Sequence, residues 1–200
     1  MSGSRDLKKG LRARLLRARR DLSPAQRQAA AVALASRVRD LPQVAAAATV
    51  AAYVSTGTEP GTLELIDALR EGGVRVLLPV LLDDDDLDWA EYRGRETLEP
   101  ARRGLLEPCG PRLGPRAVTG AQAVLLPGLA VDALGVRLGR GGGSYDRALA
   151  RLAEADAHPS LVVLLYAHEV VDAVPREPHD HLVDAAVTPE GVLRFPGVSA

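Results

Sequence analysis

The chain is 200 residues long, with 46% hydrophobic residues, 26% charged residues and a formal net charge of −1. This length suits one domain with its own buried core, and the near-zero charge gives no reason to expect a nucleic-acid partner. Cys109 is the one cysteine, which excludes an intramolecular disulfide and a multi-cysteine zinc site.

The expected setting is the cytoplasm. A sequence with a single cysteine is typical of a reducing compartment. The basic start of the chain lacks the apolar segment of a signal peptide, and the apolar stretches are too short to cross a bilayer as helices. No repeat or linker divides the sequence, so we expect residues 1–200 to form a single domain that acts as a monomer without a membrane partner.

The first forty residues predict two helices. In the first, leucines recur at every fourth position, which is the pattern of one apolar stripe. They are Leu7, Leu11 and Leu15. Ser23 followed by Pro24 is typical of a helix start, and the second helix is expected to run to about Asp40, because Pro42 marks its end.

Short apolar runs then alternate with amphipathic segments. The runs predict strands at residues 49–54, 74–80, 87–92, 121–126, 161–166 and 183–187. Helices are predicted at residues 60–71 and 144–155. Such alternation predicts a three-layer α/β fold, with a mostly parallel central sheet, helices on both faces and the helical pair at the N-terminus.

Two segments in the middle of the chain are predicted to be irregular. Residues 83–86 are four consecutive aspartates and are expected to form a solvated acidic turn. Residues 93–120 are rich in glycine, proline and arginine, which predicts a long, ordered loop region of the kind that often carries function.

The glycine-rich segment GRGGGSYDR at residues 139–147 is the most informative part of the sequence. Consecutive glycines allow positive φ angles and close approach of the backbone to a ligand, and successive N–H groups can bind an anion. The helix that follows directs its positive end to the same place, and Arg140 adds a charge that can grip a phosphate. These features, with Tyr145 and Asp146 beside them, favour phosphate binding.

The glycine run does not match two other phosphate-binding motifs. No Gly-Lys-Ser/Thr closes it, so it is not a Walker A loop. About ten residues separate it from the preceding strand, whereas the glycines of the dinucleotide fingerprint follow a strand directly. A flexible surface loop with a helix cap remains an alternative for the glycines taken alone.

Two stretches, LPGLAVD at residues 126–132 and GVRLGRGGGSYD at residues 135–146, resemble the signature of the 5-formyltetrahydrofolate cyclo-ligase family. The resemblance extends over nearly the whole chain and includes GLLEP at 104–108 and PHDHLVD at 178–184. It implies an enzyme that uses ATP and Mg²⁺ to cyclise 5-formyltetrahydrofolate to 5,10-methenyltetrahydrofolate, with release of ADP and phosphate. A relative with the same frame and altered or lost folate activity is the alternative.

The resemblance also implies which residues bind ATP. The first helix would contribute Lys8 and Arg12, whose i, i+4 spacing places them on one helical face, although a solvated basic face is what that spacing alone favours. The glycine-rich segment would contribute Arg137, Leu138, Gly139, Arg140, Gly141, Gly142, Gly143, Ser144 and Tyr145. Arg140 and Lys8 would act in catalysis by offsetting charge on the transferring phosphate.

The folate and the metal are assigned in the same way. The resemblance implies that the folate contacts Val54, Glu59, Arg140, Gly142 and Ser144. It implies that Mg²⁺ is held by Asp146 and Asp180, and carboxylate oxygens are the ligands that this ion favours. Taken without the resemblance, Asp146 could stabilise the start of its helix and Asp180 could be a turn residue.

The sequence departs from the family pattern in places. Ser144 stands where the family usually has a tyrosine that borders the substrate, and Val131 replaces a common phenylalanine. His179 and His181 flank Asp180 but are expected to be surface residues rather than metal ligands. A nucleic-acid-binding role for the basic helix at residues 8–20 is a third possibility, which net charge and sparse aromatic residues disfavour.

Overall fold

The structure, a computed structural model, describes residues 2–177 and 180–195. The described residues contain five α-helices and eleven strands. The helices are α1 (Ser2–Asp21), α2 (Pro24–Arg39), α3 (Pro42–Ala45), α4 (Leu63–Glu71) and α5 (Ser144–Glu154). The strands are β1 (Thr49–Ala51), β2 (Arg75–Leu81), β3 (Leu87–Glu91), β4 (Leu98–Pro100), β5 (Leu106–Pro108), β6 (Ala123–Pro127), β7 (Ala130–Val131), β8 (Arg137–Leu138), β9 (Ser160–Leu164), β10 (Ala185–Val187) and β11 (Val192–Arg194).

Seven strands form the central sheet, in the order β11-β10-β9-β6-β1-β2-β3. The five inner strands are parallel, and β3 and β11 pair antiparallel at the two edges. Numbered along the chain, the parallel strands are ordered 2-1-3-4-5, so the winding reverses between β1 and β6. A crevice opens at the carboxyl ends of the strands at such a reversal, and α/β proteins bind ligands there.

Helices cover both faces of this sheet, as the sequence predicts. Successive residues of each strand point to opposite faces, so Val50 packs in the cluster with Leu34 of α2 and Ile66 of α4. The next residue, Ala51, packs in the cluster with Leu149 of α5. The three-layer, mostly parallel α/β fold is therefore confirmed.

The first helix packs on a different surface from α2. Leu11 and Leu15 of α1 join a cluster with Val136 and Leu138 from the β7–β8 hairpin. Leu7 lies beyond this cluster and is 65% exposed, so the prediction of an apolar stripe is wrong at that position. The two N-terminal helices follow one another as predicted but bury their apolar sides in separate clusters.

Several predicted boundaries differ from the structure. The strand expected at residues 49–54 ends at Ala51, and the helix expected from residue 60 begins at Leu63. Between them the chain forms a loop that Thr62 closes: its hydroxyl donates to the carbonyl of Tyr53 at 2.7 Å and accepts the N–H of Ser55 at 2.9 Å. Local hydrogen bonds of this kind compete with strand and helix continuation.

The middle of the chain contains more regular secondary structure than the sequence predicts. The region at residues 93–120 contains the β4–β5 hairpin and three 3₁₀ turns, Arg95–Thr97, Arg102–Gly104 and Pro115–Gly120. In the acidic turn, Asp86 is only 7% exposed, because Arg151 of α5 donates to both of its carboxylate oxygens. The expectation of a wholly solvated turn is wrong for this residue.

None of the described helices has the length and hydropathy that crossing a membrane requires.

Candidate active site

Two cavities adjoin at the carboxyl ends of β1 and β6. The larger has a volume of about 270 Å³ and the smaller about 180 Å³. Both are lined by the same part of the chain, namely Arg137, Gly139, Gly141, Gly143 and Asp146. The glycine-rich segment therefore lies at their common boundary, at the point where the order of the parallel strands reverses.

The larger cavity is mostly apolar. Its wall includes side chains from the loop after β1, from β2 and β3, and from the β4–β5 hairpin. These include Tyr53, Val54, Leu81, Leu87, Leu105 and Leu106. Two charged side chains meet on another part of the wall, where Arg140 Nε lies 3.4 Å from Glu59 Oε1. Arg140 is 53% exposed and Glu59 only 9%, so the guanidinium is the group that a ligand can reach.

Local hydrogen bonds fix Glu59 in the loop after β1. Its Oε2 accepts the backbone N–H of Thr56 at 2.8 Å and the hydroxyl of Thr56 at 3.2 Å. Tyr53, at the start of the same loop, is 4% exposed, and its hydroxyl has no hydrogen-bond partner within the described residues. Burial, together with the nearby charge of Glu59, raises the pKa of Tyr53 well above its usual value, so the hydroxyl stays protonated.

The smaller cavity is lined by cations and carboxylates. Lys8 Nζ donates to Glu177 Oε2 at 2.8 Å and to Asp180 Oδ2 at 3.0 Å. Burial lowers the pKa of Lys8, but these two hydrogen bonds outweigh it and hold the pKa above its ordinary value, so Lys8 stays charged. Arg12 Nε donates to the carbonyl of Gly139 at 2.9 Å. The first helix thus places two cations beside the glycine-rich segment.

Arg137 connects the two cavities. Its Nη1 donates to the carbonyl of Pro127 at 3.0 Å and its Nη2 to Asp146 Oδ1 at 3.0 Å. The guanidinium therefore joins the end of β6 to the first turn of α5. Burial lowers the pKa of Arg137, and its Nε has no hydrogen-bond partner in the described chain. Buried polar groups are nearly always hydrogen-bonded, so the unpaired Nε of Arg137 is a candidate donor to a ligand in either cavity.

The two aspartates implied as metal ligands both line the smaller cavity, together with Glu177. Asp146 accepts from Arg137, and Asp180 accepts from Lys8 and from the backbone N–H of Glu177. Over residues 2–177 and 180–195, no group of three or more metal-ligating side chains is positioned to hold an ion. The donor chemistry nevertheless fits Mg²⁺, which is commonly bound by one or two carboxylates with substrate phosphates and water.

A buried ion pair that the sequence reasoning missed anchors α1 next to the cleft. Arg19 and Glu169 are both 0% exposed, and Arg19 donates to the two carboxylate oxygens of Glu169 at 2.5 and 2.9 Å. Arg19 also donates to the carbonyl of Gly128 at 2.5 Å, directly after β6. Arg19 continues the four-residue spacing of Leu11 and Leu15, and a charge at this position was the available signal of a buried partner.

The structure distributes the expected site residues between the two cavities. Those expected to bind folate all line the larger one: Val54, Glu59, Arg140, Gly142 and Ser144. Of those expected to bind ATP or metal, four line only the smaller one: Lys8, Arg12, Leu138 and Asp180. Tyr145, expected to contact the nucleotide, lines only the larger cavity. His181 is half-buried, whereas His179 lies outside the described residues.

These features are typical of an α/β protein with a ligand-binding cleft at the carboxyl edge of a parallel sheet, one half of it apolar and the other lined by cations and carboxylates. Residues 4–189 match the model of the 5-formyltetrahydrofolate cyclo-ligase family. The chain is 40% identical over 188 residues to the 5-formyltetrahydrofolate cyclo-ligase of Mycolicibacterium smegmatis, covering 92% of this chain and 94% of the relative. It is 35% identical over 184 residues to that of Escherichia coli K12, covering 88% and 97%.

A solved structure agrees with these relatives. The chain resembles the NMR structure of Aquifex aeolicus 5,10-methenyltetrahydrofolate synthetase with a TM-score of 0.81 and 28% identity, covering 96% of this chain and 94% of that one. The chain belongs to the 5-formyltetrahydrofolate cyclo-ligase family, and it is an enzyme of the ligase class.

Proposed function

We propose that the chain converts 5-formyltetrahydrofolate and ATP to 5,10-methenyltetrahydrofolate, ADP and phosphate, with Mg²⁺ as the metal cofactor. The observation that carries this proposal is the pair of adjoining cavities. One is apolar enough for the ring systems of a folate, and the other gathers the cations of α1 beside the glycine-rich segment. A reaction between a folate and a nucleotide phosphate needs two such sites with a common boundary.

The proposed chemistry has two steps. The formyl oxygen attacks the γ-phosphorus of ATP, and the bond from that phosphorus to the β–γ bridging oxygen breaks, releasing ADP. The amine nitrogen N10 then adds to the formyl carbon, loses its proton, and the carbon–oxygen bond breaks to release phosphate. Neither step needs a nucleophile from the protein, so positioning and charge neutralisation are what the site must supply.

The proposal assigns that work to named side chains. Lys8, Arg12 and Arg137 surround the smaller cavity, where they would bind the phosphate chain. Arg140 lines the larger cavity, where it would contact the formyl group and the transferring phosphate. Mg²⁺, held by Asp146 and Asp180 with phosphate oxygens, would neutralise phosphate charge. The hydroxyl of Tyr53 and Nε of Arg137 are the buried donors that bound substrates would complete.

The contacts of α1 also support a small-molecule site over a nucleic-acid surface. Lys8 and Arg12 contact their own chain at the cleft, and Arg19 is buried. We therefore propose a cytoplasmic monomer that binds small molecules without a nucleic-acid or membrane partner. An electrophoretic shift of DNA or RNA that weakens steeply with salt would contradict this part of the proposal.

The direct test is formation of the methenyl chromophore from 5-formyltetrahydrofolate by purified protein. We expect turnover that requires ATP and stops when a chelator removes Mg²⁺. Arg140→Ala and Asp146→Ala should each lower kcat about 100-fold or more, the usual effect of removing a group that stabilises transition-state charge. Arg93→Ala, which alters an exposed arginine outside both cavities, is the matched control and should leave the rate unchanged.

The outcomes separate the alternatives. If folded protein binds ATP but produces no chromophore, the chain is a relative with altered folate activity. Ser144, on the wall of the larger cavity, motivates this alternative because the family usually has a tyrosine there. Folded protein that binds neither ATP nor the folate would reject the proposal. Full activity of both variants would reject the site assignment alone.

A further inference from the structure

Arg103 is a charged group of the larger cavity that the proposed chemistry does not use. It lies in the 3₁₀ turn Arg102–Gly104, between β4 and β5, and it lines the cavity with a side chain that is 62% exposed. Its backbone φ is +59°, a left-handed conformation that is uncommon for a residue with a Cβ atom. The fold therefore holds this arginine in place at a cost in backbone strain.

The partner of Arg103 is a weak competitor for its guanidinium. Nη2 of Arg103 lies 2.6 Å from Oδ1 of Asp85, whose side chain is 38% exposed. Exposed ion pairs of this kind contribute little net stability, because both charges are already well solvated. An anionic ligand could therefore replace Asp85 with little loss of folding free energy.

The neighbouring arginine, Arg102, holds the turn in place but does not line the larger cavity. Nη1 of Arg102 donates to Asp83 Oδ1 at 2.7 Å and Nη2 donates to the carbonyl of Leu81 at 2.9 Å. Arg102 is absent from the lining of the larger cavity within the described residues. One arginine thus fastens the turn to β2, while the other lines the cavity and pairs with the exposed carboxylate of Asp85.

The surroundings of Arg103 define the chemistry of the ligand. Four leucines line the cavity with it: Leu81, Leu87, Leu105 and Leu106. The three carboxylates on the lining already have partners. Glu59 accepts from Thr56 and pairs with Arg140. Glu107 accepts the N–H of Leu81, and Asp146 accepts from Arg137. An apolar wall that ends in an exposed guanidinium suits a ligand in which an aromatic ring is followed by carboxylates.

We propose that Arg103 binds the glutamate carboxylates of the folate, with the leucine wall packing against the adjoining aminobenzoyl ring. This inference rests on the proposed function, because the substrate supplies both groups in that order. Arg140 and Glu59 would then bind the reacting end, and Arg103 would be a substrate-binding residue that sets affinity for the tail.

The test compares two ligands by isothermal titration calorimetry. One is 5-formyltetrahydrofolate, and the other is its diamide, in which neutral carboxamides replace both glutamate carboxylates. We expect the wild type to bind the folate at least about tenfold more tightly than the diamide, the scale of a charge-assisted hydrogen bond. Arg103→Ala should abolish that difference by weakening folate binding alone, and Arg103→Lys should restore part of it.

Asp85→Asn is the matched control. It removes the competing carboxylate and leaves Arg103 in place, so folate affinity should stay equal or rise while diamide affinity does not change. Equal weakening of both ligands in Arg103→Ala, or no discrimination by the wild type, would overturn the inference. Because the readout is binding, a wild type that discriminates but forms no chromophore would reject the proposed reaction and leave the tail site standing. A wild type that binds neither ligand would reject both.

Discussion

Tyr53 and Tyr92 are both buried, but their hydroxyl groups have opposite surroundings. Tyr92 donates to Asp67 Oδ1 at 2.5 Å, away from both cavities. Tyr53 lines the larger cavity, and its hydroxyl is unpartnered within the described residues. A buried hydroxyl without a partner lowers stability, and this one stands beside a cavity, so it is a candidate donor to a bound ligand.

Tyr53→Phe should therefore separate stability from binding. We expect the free energy of unfolding to stay the same or rise by about 1 kcal/mol, because an unsatisfied group is removed. Affinity for 5-formyltetrahydrofolate should fall about tenfold, the value of one hydrogen bond to a ligand. Urea unfolding and calorimetric titration measure the two quantities.

Tyr92→Phe is the control with the opposite expectation. It should lower the free energy of unfolding by about 1.5–3 kcal/mol, since it deletes a hydrogen bond to a carboxylate, and leave folate affinity unchanged. If Tyr53→Phe behaved like Tyr92→Phe, the hydroxyl of Tyr53 would have no role in binding.

Among the elements, α1 is held beside the cleft both by apolar packing and by a buried ion pair. Leu15 packs on the β7–β8 hairpin, and Arg19 is bound to Glu169 behind the cleft. The same helix presents Lys8 and Arg12 to the smaller cavity. Loss of the anchor should therefore affect both folding and nucleotide binding.

Glu169→Gln should destabilise the chain by about 3 kcal/mol, because it leaves the charge of Arg19 buried without a counter-charge. The double variant Arg19→Met/Glu169→Leu should lose less than the single one, since apolar groups can replace a buried pair. Arg75→Met, which breaks an exposed pair with Glu91, should cost less than about 1 kcal/mol and is the control. Urea unfolding of all three tests this, and a double variant that loses as much stability as Glu169→Gln would contradict the cost assigned to the uncompensated charge.

The glycine-rich segment makes a prediction that depends on backbone angle. Gly141 has a φ of +96°, and a Cβ atom there would lie 3.4 Å from the guanidinium carbon of Arg12. Gly141→Ala should cost about 1 kcal/mol or more in stability and weaken ATP binding. Gly142 has no such angle, and a Cβ atom would meet only Ser144 Oγ at 4.0 Å, so Gly142→Ala should change stability by less than about 0.5 kcal/mol. Equal losses in thermal unfolding would contradict the role of the angle.

At the scale of the whole molecule, the sheet order determines where the site forms. The reversal between β1 and β6 opens the crevice, and the loop after β1, the turn after β6 and the start of α5 all reach it. The first helix then closes the smaller cavity from outside the sheet. Ligand binding therefore links segments that are far apart in sequence.

Mg-ATP should accordingly stabilise the entire fold. At about 100 times the dissociation constant, binding adds about 2.7 kcal/mol, which corresponds to a rise in Tm of about 5–10 °C for a chain of this size. Scanning fluorimetry with and without a chelator measures it. The double variant Lys8→Ala/Arg12→Ala should show a smaller shift at the same ATP concentration, and an undiminished shift would place the nucleotide elsewhere.

Local sequence patterns predict the features that depend on neighbouring residues. Short apolar runs located the inner strands and the 3.6-residue period located the main helices, and the fixed spacing of the glycine-rich segment indicated both the family and the residues at the common boundary of the two cavities. The β7–β8 hairpin was missed, because strands of two residues, Ala130–Val131 and Arg137–Leu138, are too short to show a period.

Only the tertiary structure decided which distant groups meet. Arg19 and Glu169 are 150 positions apart, and Arg103 and Asp85 belong to different turns, so no local pattern could pair them. The division of the site into an apolar and a charged cavity also arises from packing, since among the described residues α1 lines only the smaller cavity and the β4–β5 hairpin lines only the larger one. The physical reason is that local backbone preferences act over a few residues, whereas ion pairs and cavities depend on how the sheet order brings remote segments together.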